Sequence, residues 1–208
     1  MPILHHKKTH GRFFFIHIPR TAGRFLTQNF FENGYDIEHH LTKKIFKEEK
    51  ELHNYLWTLT EGVELSHTHR SLYSKWESIK GLSSIAVVRN PVDRFFSVSG
   101  RERENSQSSF ENWTICKNIL SKRRVPHPSN WWKPQHEFVS PQTKIWTYEN
   151  GFGKNFCDWI NNILLINFSI KSHVYNKNDY EQPKLIKTKP LIDNIKKFYH
   201  QDFEKFGY

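Results

Sequence analysis

An unbroken apolar run, Ile85–Val88 in the segment LSSIAVVRNP, constrains the fold of this chain more than any other feature. A strand without polar positions must bury both of its faces, which is typical of a parallel strand between two layers of helices. Pro91 follows at the first-turn position of a predicted helix. A second apolar strand, predicted over 12–18, stops at Pro19 and leads into TAGRFLTQNFFENG, where Phe and Leu recur at helical spacing. This alternation predicts an α/β fold with a central, mostly parallel sheet flanked by helices.

The length of 208 residues fits a single domain, 1–208. The segment 101–136 is polar and irregular, and we interpret it as a lid or an acceptor-binding insertion. The other predicted elements are helices over 41–57 and 152–166, a short strand running into a loop over 63–71, a late strand and loop over 166–176, and an amphipathic C-terminal helix over 190–208.

Charge and cysteine content narrow the functional classes. Lysine and arginine number 31 against 21 acidic residues, and the net charge of +10 favours a polyanionic partner: nucleic acid, a nucleotide, an acidic glycan or a membrane surface. Cys116 and Cys157 form no C-x-x-C pair, so neither a disulfide framework nor a zinc knuckle is expected. Without a hydrophobic signal core or an apolar stretch of about 18–20 residues, the sequence predicts a cytoplasmic or otherwise soluble protein with no membrane span.

The loop after the first predicted strand has the composition of an anion site. A loop that opens a helix presents unpaired backbone N–H groups and the positive end of the helix dipole. Gly23 would let the backbone approach a ligand closely, and Arg20 and Arg24 add forked donors that suit phosphate oxygens. An ordinary turn with two solvated arginines is the alternative interpretation.

A P-loop nucleotide kinase or hydrolase is the nearest competing class. Its signature, G-x-x-x-x-G-K-[ST], is not met, because the first Gly is missing and Arg24 replaces the Mg²⁺-binding hydroxyl. Such enzymes also carry an Asp at the end of a later strand, whereas the apolar run in SIAVVRN is followed by Arg89. An arginine there predicts that side chains, rather than a metal ion, neutralise the anion, so no metal site is expected.

Two segments, in this order, resemble motifs of the sulfotransferases that use 3′-phosphoadenosine 5′-phosphosulfate (PAPS). FIHIPRTAG resembles the 5′-phosphosulfate loop of the carbohydrate branch, which includes heparan- and chondroitin-type enzymes, and VVRNPVDRFFSVSG resembles their 3′-phosphate motif. The ending YHQDFEKFGY is also similar to theirs. The resemblance implies a P-loop-like three-layer domain, PAPS as donor, 3′,5′-ADP as product, no metal, and sulfuryl transfer to an acceptor hydroxyl, expected on a carbohydrate.

The resemblance also implies the donor-binding residues. The 3′-phosphate would be bound by Arg89 and Ser97, which lie eight residues apart across a strand-to-helix turn. A salt bridge from Arg89 to Asp93, and a bond from Ser97 to its own helix, are the alternatives. The 5′-phosphosulfate would be bound by Arg20, Thr21, Ala22, Gly23, Arg24 and Phe25.

The sequence departs from the family pattern at two positions. Arg20 stands where the family usually has a Lys that is thought to stabilise the bridging oxygen, and arginine cannot give up a proton near neutral pH. Arg24 stands where a hydroxyl residue is usual, so binding is expected to depend more on charge.

A general base is predicted in LSHTHRSL, between the two phosphate motifs. His67 and His69 are two residues apart and share a face of an extended segment. We predict His69 as the catalytic base, with His67 as the alternate, because the family often carries a His in this interval. Two surface histidines, a metal site lacking a third ligand, and Glu64 as the base are the other interpretations.

The acceptor is expected to meet the insertion. Trp faces can stack on sugar rings, and basic groups can pair with the acidic groups of a glycan. A solvated basic loop whose Trp residues pack on the core is an equal alternative. The residues concerned are Lys122, Arg123, Arg124, Trp131, Trp132, Lys133 and His136. Gln142 and Thr143 lie where relatives often carry Pro-Gln, which suggests a donor-binding or structural role.

The sequence therefore predicts a PAPS-dependent sulfotransferase that acts on a hydroxyl of a glycan or small molecule. A basic nucleic-acid-binding protein is the alternative from another class, but no RNP, helix-turn-helix or zinc pattern is present. That alternative also leaves the spacing of Arg89 and Ser97 unexplained, so no nucleic-acid partner is expected.

Overall fold

The structure is a computed structural model that describes residues 3–39, 70–74, 79–102, 132–171 and 187–208. In this part of the chain the strands are β1 (Ile3–His6), β2 (Arg12–Ile16), β3 (Tyr35–His39), β4 (Ser84–Val88) and β5 (Lys144–Thr147). The helices are α1 (Gly23–Glu32), α2 (Arg70–Tyr73), α3 (Pro91–Glu102), α4 (Lys154–Leu164), α5 (Lys189–Phe198) and α6 (His200–Phe206), with 3₁₀ turns at Gln135–Glu137 and Tyr148–Asn150.

The strands form one sheet in the order β3-β1-β2-β4-β5. Strand β2 is parallel to β4, and β4 is parallel to β5, whereas β1 is antiparallel to both of its neighbours. Four strands therefore run in one direction and β1 runs against them. This arrangement confirms the predicted α/β class with a mostly parallel sheet.

Both faces of the sheet are covered, which explains why β2 and β4 are apolar at successive positions. Phe13 and Phe15 of β2 pack on one side in a cluster with residues of α1 and α4. Phe14 and Ile16 alternate to the other side, where Tyr73 of α2 belongs to the same cluster. Buried clusters therefore cover both faces of the sheet.

A third apolar cluster joins α3 to the C-terminal helices. Phe95 of α3 lies beside Trp132, with ring centroids 4.9 Å apart, and Ile195 of α5 is fully buried in the same cluster. The tail was predicted as one helix, but it forms two, which meet at Tyr199 (φ −98°, ψ 21°). The break directs α6 so that its Asp202 is buried and accepts hydrogen bonds from the chain at 135–136.

Two further local predictions differ from the structure, and two lie outside it. Residues 166–171 form no strand, because the side chain of Asn161 bonds both the N–H (2.6 Å) and the carbonyl (3.1 Å) of Phe168 in place of a strand partner. Arg70 begins the short helix α2, where the end of a loop was predicted. The predicted helix over 41–57 and the positions 63–69 lie outside the described residues.

The membrane prediction concerns helix length and polarity. None of the helices in the described ranges is long and apolar enough to cross a membrane.

Candidate anion-binding site

The loop between β2 and α1 holds two L-residues in the left-handed region of backbone space. Arg20 has φ 67° and Ala22 has φ 70°, and for a residue other than Gly this conformation costs on the order of 1–3 kcal/mol. The buried Thr21 hydroxyl, which donates to the Ile18 carbonyl (2.9 Å), helps to hold the loop in this form. Strain of this kind concentrates at functional sites, and left-handed residues are a component of anion-binding nests.

The loop ends at the N-terminus of α1, which lacks a side-chain cap. Ala22 is the N-cap residue and makes no capping hydrogen bond through its side chain, and the Leu26 N–H donates to the Ala22 carbonyl (3.0 Å). The amides of the first turn are therefore not satisfied by a capping side chain. They carry the positive end of the helix dipole, which favours an anion at this end of α1.

Ala22→Gly is expected to raise the free energy of unfolding by about 1 kcal/mol, because glycine adopts the left-handed conformation without the Cβ penalty. Chemical denaturation measures the change. Ala86→Gly is the matched control: Ala86 is buried in β4, where glycine weakens a strand, so its stability should fall. A loss of stability for Ala22→Gly comparable to that of the control would contradict the strain at this loop.

The structure shows why position 23 requires a glycine, which the sequence did not indicate. A Cβ at this position would lie 1.8 Å from Nε2 of His17, whose ring is stacked on the ring of Phe15 (centroids 5.9 Å apart, planes at 9°). His17 thus fills the space between the end of β2 and the start of α1. The predicted role of Gly23 in admitting a ligand stays a prediction, while the demand for glycine follows from the His17 ring.

The two arginine-bearing motifs meet. Arg20 Nε donates to Ser97 Oγ (2.9 Å) across 77 residues of sequence, and Arg89 Nη1 donates to the Arg20 carbonyl (3.4 Å). The Arg89 guanidinium also lies over the ring of Tyr148, 4.5 Å from its centroid. The ion pair that the structure gives Asp93 is with Lys187 (3.0 Å) rather than with Arg89.

One donor in this cluster lacks an acceptor. The Arg89 Nε is buried and has no hydrogen-bond partner in the part of the chain that the structure describes. A buried polar group left unpaired costs about 1–3 kcal/mol, and more when it is charged. An anion held beside Arg20 and Ser97 would supply the missing acceptor.

The remaining loop residues differ in what their side chains do. Arg24 is exposed at the first turn of α1, whereas Phe25 packs beside Phe152 with ring centroids 5.4 Å apart. The side chains of Thr21 and Phe25 therefore serve the loop and the core. These two residues would contribute their backbone N–H groups to a ligand, and Arg24 would contribute its charge.

Arg94 is a residue of the site that the sequence analysis missed. It is 1% exposed; its Nε donates to the Pro19 carbonyl (3.0 Å) and its Nη1 to the Lys133 carbonyl (2.9 Å). Burial lowers the pKa of this guanidinium, and the nearby Tyr199 and Asp202 oppose that shift. Arg94 thus connects α3 to the chain just before the loop between β2 and α1 (the arginine loop). Its position next to Phe95, on the buried side of an amphipathic helix, is the one signal that the sequence offers.

The C-terminal end of the predicted insertion, residues 132–136, packs against the rest of the protein. Trp132 is 4% exposed, Lys133 pairs with Glu137 (3.4 Å), and the His136 Nδ1 bonds Asp202 (2.8 Å). These contacts agree with the alternative in which a Trp packs on the core. Several other predicted site residues lie outside the described ranges, namely His67, His69, Lys122, Arg123, Arg124 and Trp131, so the base and the lid stay predictions.

In the segment Pro141-Gln142-Thr143, the threonine has a structural role. Gln142 is exposed, whereas the buried Thr143 Oγ1 accepts from the Ser140 N–H (3.0 Å) and bonds Ser84 Oγ (3.2 Å). This pairing joins the start of β4 to the start of β5. The glutamine that bonds the backbone of Arg89 is Gln135, which the sequence analysis did not single out.

A separate cleft of about 630 Å³ opens between the first turn of α3 and helices α5 and α6. Arg20, Arg89 and Ser97 do not line it. The residues along its wall include Asn90, Val92, Lys196, His200, Phe203 and Tyr208.

The fold and the site together define an α/β protein in which two arginine-bearing strand ends meet beside an uncapped helix N-terminus. Over the described residues, no group of three His, Cys, Asp or Glu side chains is arranged to hold a metal ion. No protein-family model, curated protein or solved structure matches the chain.

Proposed function

We propose that this protein is a sulfotransferase that moves the sulfuryl group of PAPS to an acceptor hydroxyl, on a carbohydrate. The observation that carries the proposal is the contact between the two motifs, Arg20 with Ser97 at 2.9 Å and Arg89 with the Arg20 carbonyl at 3.4 Å. One small ligand with two phosphate groups is the simplest partner for two adjacent anion-binding turns. The order strand, loop, helix, with β4 parallel beside β2, supports a P-loop-like domain.

The residues present suit the two ends of such a nucleotide. Arg20 and the amides of 21–25 would hold the 5′-phosphosulfate, and Arg89 with Ser97 would hold the 3′-phosphate. Ser97 accepts a bond from Arg20, and its hydroxyl also has one hydrogen to donate to a phosphate oxygen. The buried Nε of Arg89, which has no acceptor among the described residues, fits the same phosphate.

PAPS supplies an activated sulfuryl group whose leaving group is a phosphate. Arg20 would stabilise the negative charge that develops on the phosphate oxygen as its bond to sulfur breaks, through permanent charge and without donating a proton. His69, with His67 as the alternate, would take the proton of the acceptor hydroxyl as that oxygen bonds to sulfur. The position of the base stays a prediction from the sequence.

Thermal unfolding with 3′,5′-ADP tests the proposal. With EDTA present, a 100-fold excess of ligand over its Kd should stabilise the fold by about 2.7 kcal/mol. For a domain of this size, such a gain corresponds to a rise in Tm of roughly 5–10 °C. Inorganic sulfate at the same concentration is the control and should give a smaller rise.

The same measurement, repeated with Mg²⁺ and without EDTA, separates the alternatives. Stabilisation by ATP with Mg²⁺ in preference to 3′,5′-ADP would contradict the proposal in favour of a P-loop kinase. A response to oligonucleotides alone would contradict it in favour of a nucleic-acid-binding protein.

A further inference from the structure

The backbone of Arg89 is held on both sides by one side chain. The Arg89 N–H donates to Oε1 of Gln135 (2.9 Å), and Nε2 of Gln135 donates to the Arg89 carbonyl (2.7 Å). Arg89 follows directly after the last residue of β4. The amide of Gln135 thus pairs with Arg89 as a neighbouring strand would, beyond the point where the strand ends.

Gln135 is itself fixed from the C-terminal helix. It is fully buried, and its N–H donates to Oδ2 of Asp202 (2.7 Å). The other oxygen, Oδ1, accepts from the N–H of His136 (2.8 Å) and bonds its Nδ1 (2.8 Å). Hydrogen bonds therefore run without a gap from Asp202 on α6 through Gln135 to the peptide of Arg89.

Both bonds to Arg89 need a donor and an acceptor side by side, which an amide side chain carries without a change of protonation state. A carboxylate would lose the donor and would face the Arg89 carbonyl with an oxygen. A methionine has a similar shape but makes neither bond. The orientation of the Arg89 guanidinium, over Tyr148 and toward the Arg20 carbonyl, depends on the backbone that Gln135 fixes.

We propose that Gln135 is a positioning residue for Arg89, and that it gives the site its preference for a nucleotide carrying a 3′-phosphate. The inference rests on the proposed function, because it assigns Arg89 to that phosphate. Gln135 acts through the backbone of Arg89. Its contribution should therefore appear in the affinity gained from the 3′-phosphate, and the affinity for the rest of the nucleotide should not depend on it.

Calorimetric titration with 3′,5′-ADP and with 5′-AMP, in EDTA, tests this role. We expect the wild-type protein to bind 3′,5′-ADP at least about tenfold more tightly than 5′-AMP, since hydrogen bonds to a charged group are stronger than those between neutral groups. Gln135→Met should lose most of that preference while its affinity for 5′-AMP stays within about twofold of wild type. In an Arg89→Ala background the same substitution should have no further effect on the preference. Gln201→Met, at an exposed position of α6, is the matched control and should keep it.

Different outcomes overturn different parts. A Gln135→Met protein with unchanged preference, or with both affinities lowered equally, would refute the positioning role and leave the proposed function standing. A wild-type protein without preference for 3′,5′-ADP would refute the 3′-phosphate site, and the inference with it. If Gln135→Met does not fold, Gln135→Asn, which keeps the amide but is one methylene too short to reach both groups of Arg89, is judged by the same criteria.

Discussion

Replacing Arg94 with methionine is expected to lower the free energy of unfolding by about 2–5 kcal/mol, a large part of the stability of an ordinary domain. Methionine fills much of the volume of the buried stem but donates no hydrogen bond. The carbonyls of Pro19 and Lys133 would lose their 3.0 Å and 2.9 Å partners inside the protein. The Pro19 carbonyl is left unsatisfied in a buried position and the Lys133 carbonyl in a part-buried one, and each loss costs up to about 1–3 kcal/mol.

Chemical denaturation of Arg94→Met, beside Arg24→Met as the matched control, measures this effect. Arg24 is exposed, so its replacement should change the stability by no more than about 0.5 kcal/mol. Because Arg94 also holds the chain that precedes the arginine loop, the folded fraction of the variant should bind 3′,5′-ADP more weakly. An Arg94→Met protein within 1 kcal/mol of wild type would contradict the anchoring role.

The second large effect is expected from Gly23→Ala. The added Cβ would lie 1.8 Å from Nε2 of His17, so the ring must leave its stack on Phe15 or the start of α1 must move. Overpacking of this kind costs about 1–3 kcal/mol. The loop amides would shift with the helix, so we also expect at least a tenfold loss of affinity for 3′,5′-ADP.

A double variant shows whether His17 is the cause. In the His17→Ala protein, which lacks the ring, adding Gly23→Ala should cost much less stability than the same substitution costs in the wild-type protein. Gly11→Ala is the control, since the nearest atom to a Cβ there is Thr9 Oγ1 at 3.5 Å, an ordinary contact, and its φ is not positive. If Gly23→Ala were no more harmful than Gly11→Ala, the explanation from His17 would be wrong.

The sequence predicted the central elements better than the peripheral ones. Strands β2 and β4 and helices α1 and α3 carry dense, locally readable patterns of apolar residues. Strands β3 and β5 lie at the two edges of the sheet, where partial exposure weakens the apolar pattern. Strand β1 was missed because its segment ILHH is short and its place depends on antiparallel pairing with β2 and β3.

The site shows the same division between local and distant information. Arg20, Arg89 and Ser97 were found because they stand in short motifs that are visible in the sequence. Gln135 and Asp202 were not, because their roles arise from contacts across 46 and 67 residues. A charged residue in an amphipathic tail usually faces solvent, and nothing local distinguishes the buried Asp202 from its exposed neighbours.

A crystal structure of the protein with 3′,5′-ADP, grown in EDTA, tests the central claim most directly. We predict one nucleotide, with its 5′-phosphate bonded to Arg20 and the amides of 21–25, and its 3′-phosphate bonded to Arg89 and Ser97. A nucleotide bound elsewhere, such as in the cleft between α3 and α6, or one that reaches only one of the two arginine turns, would contradict the claim.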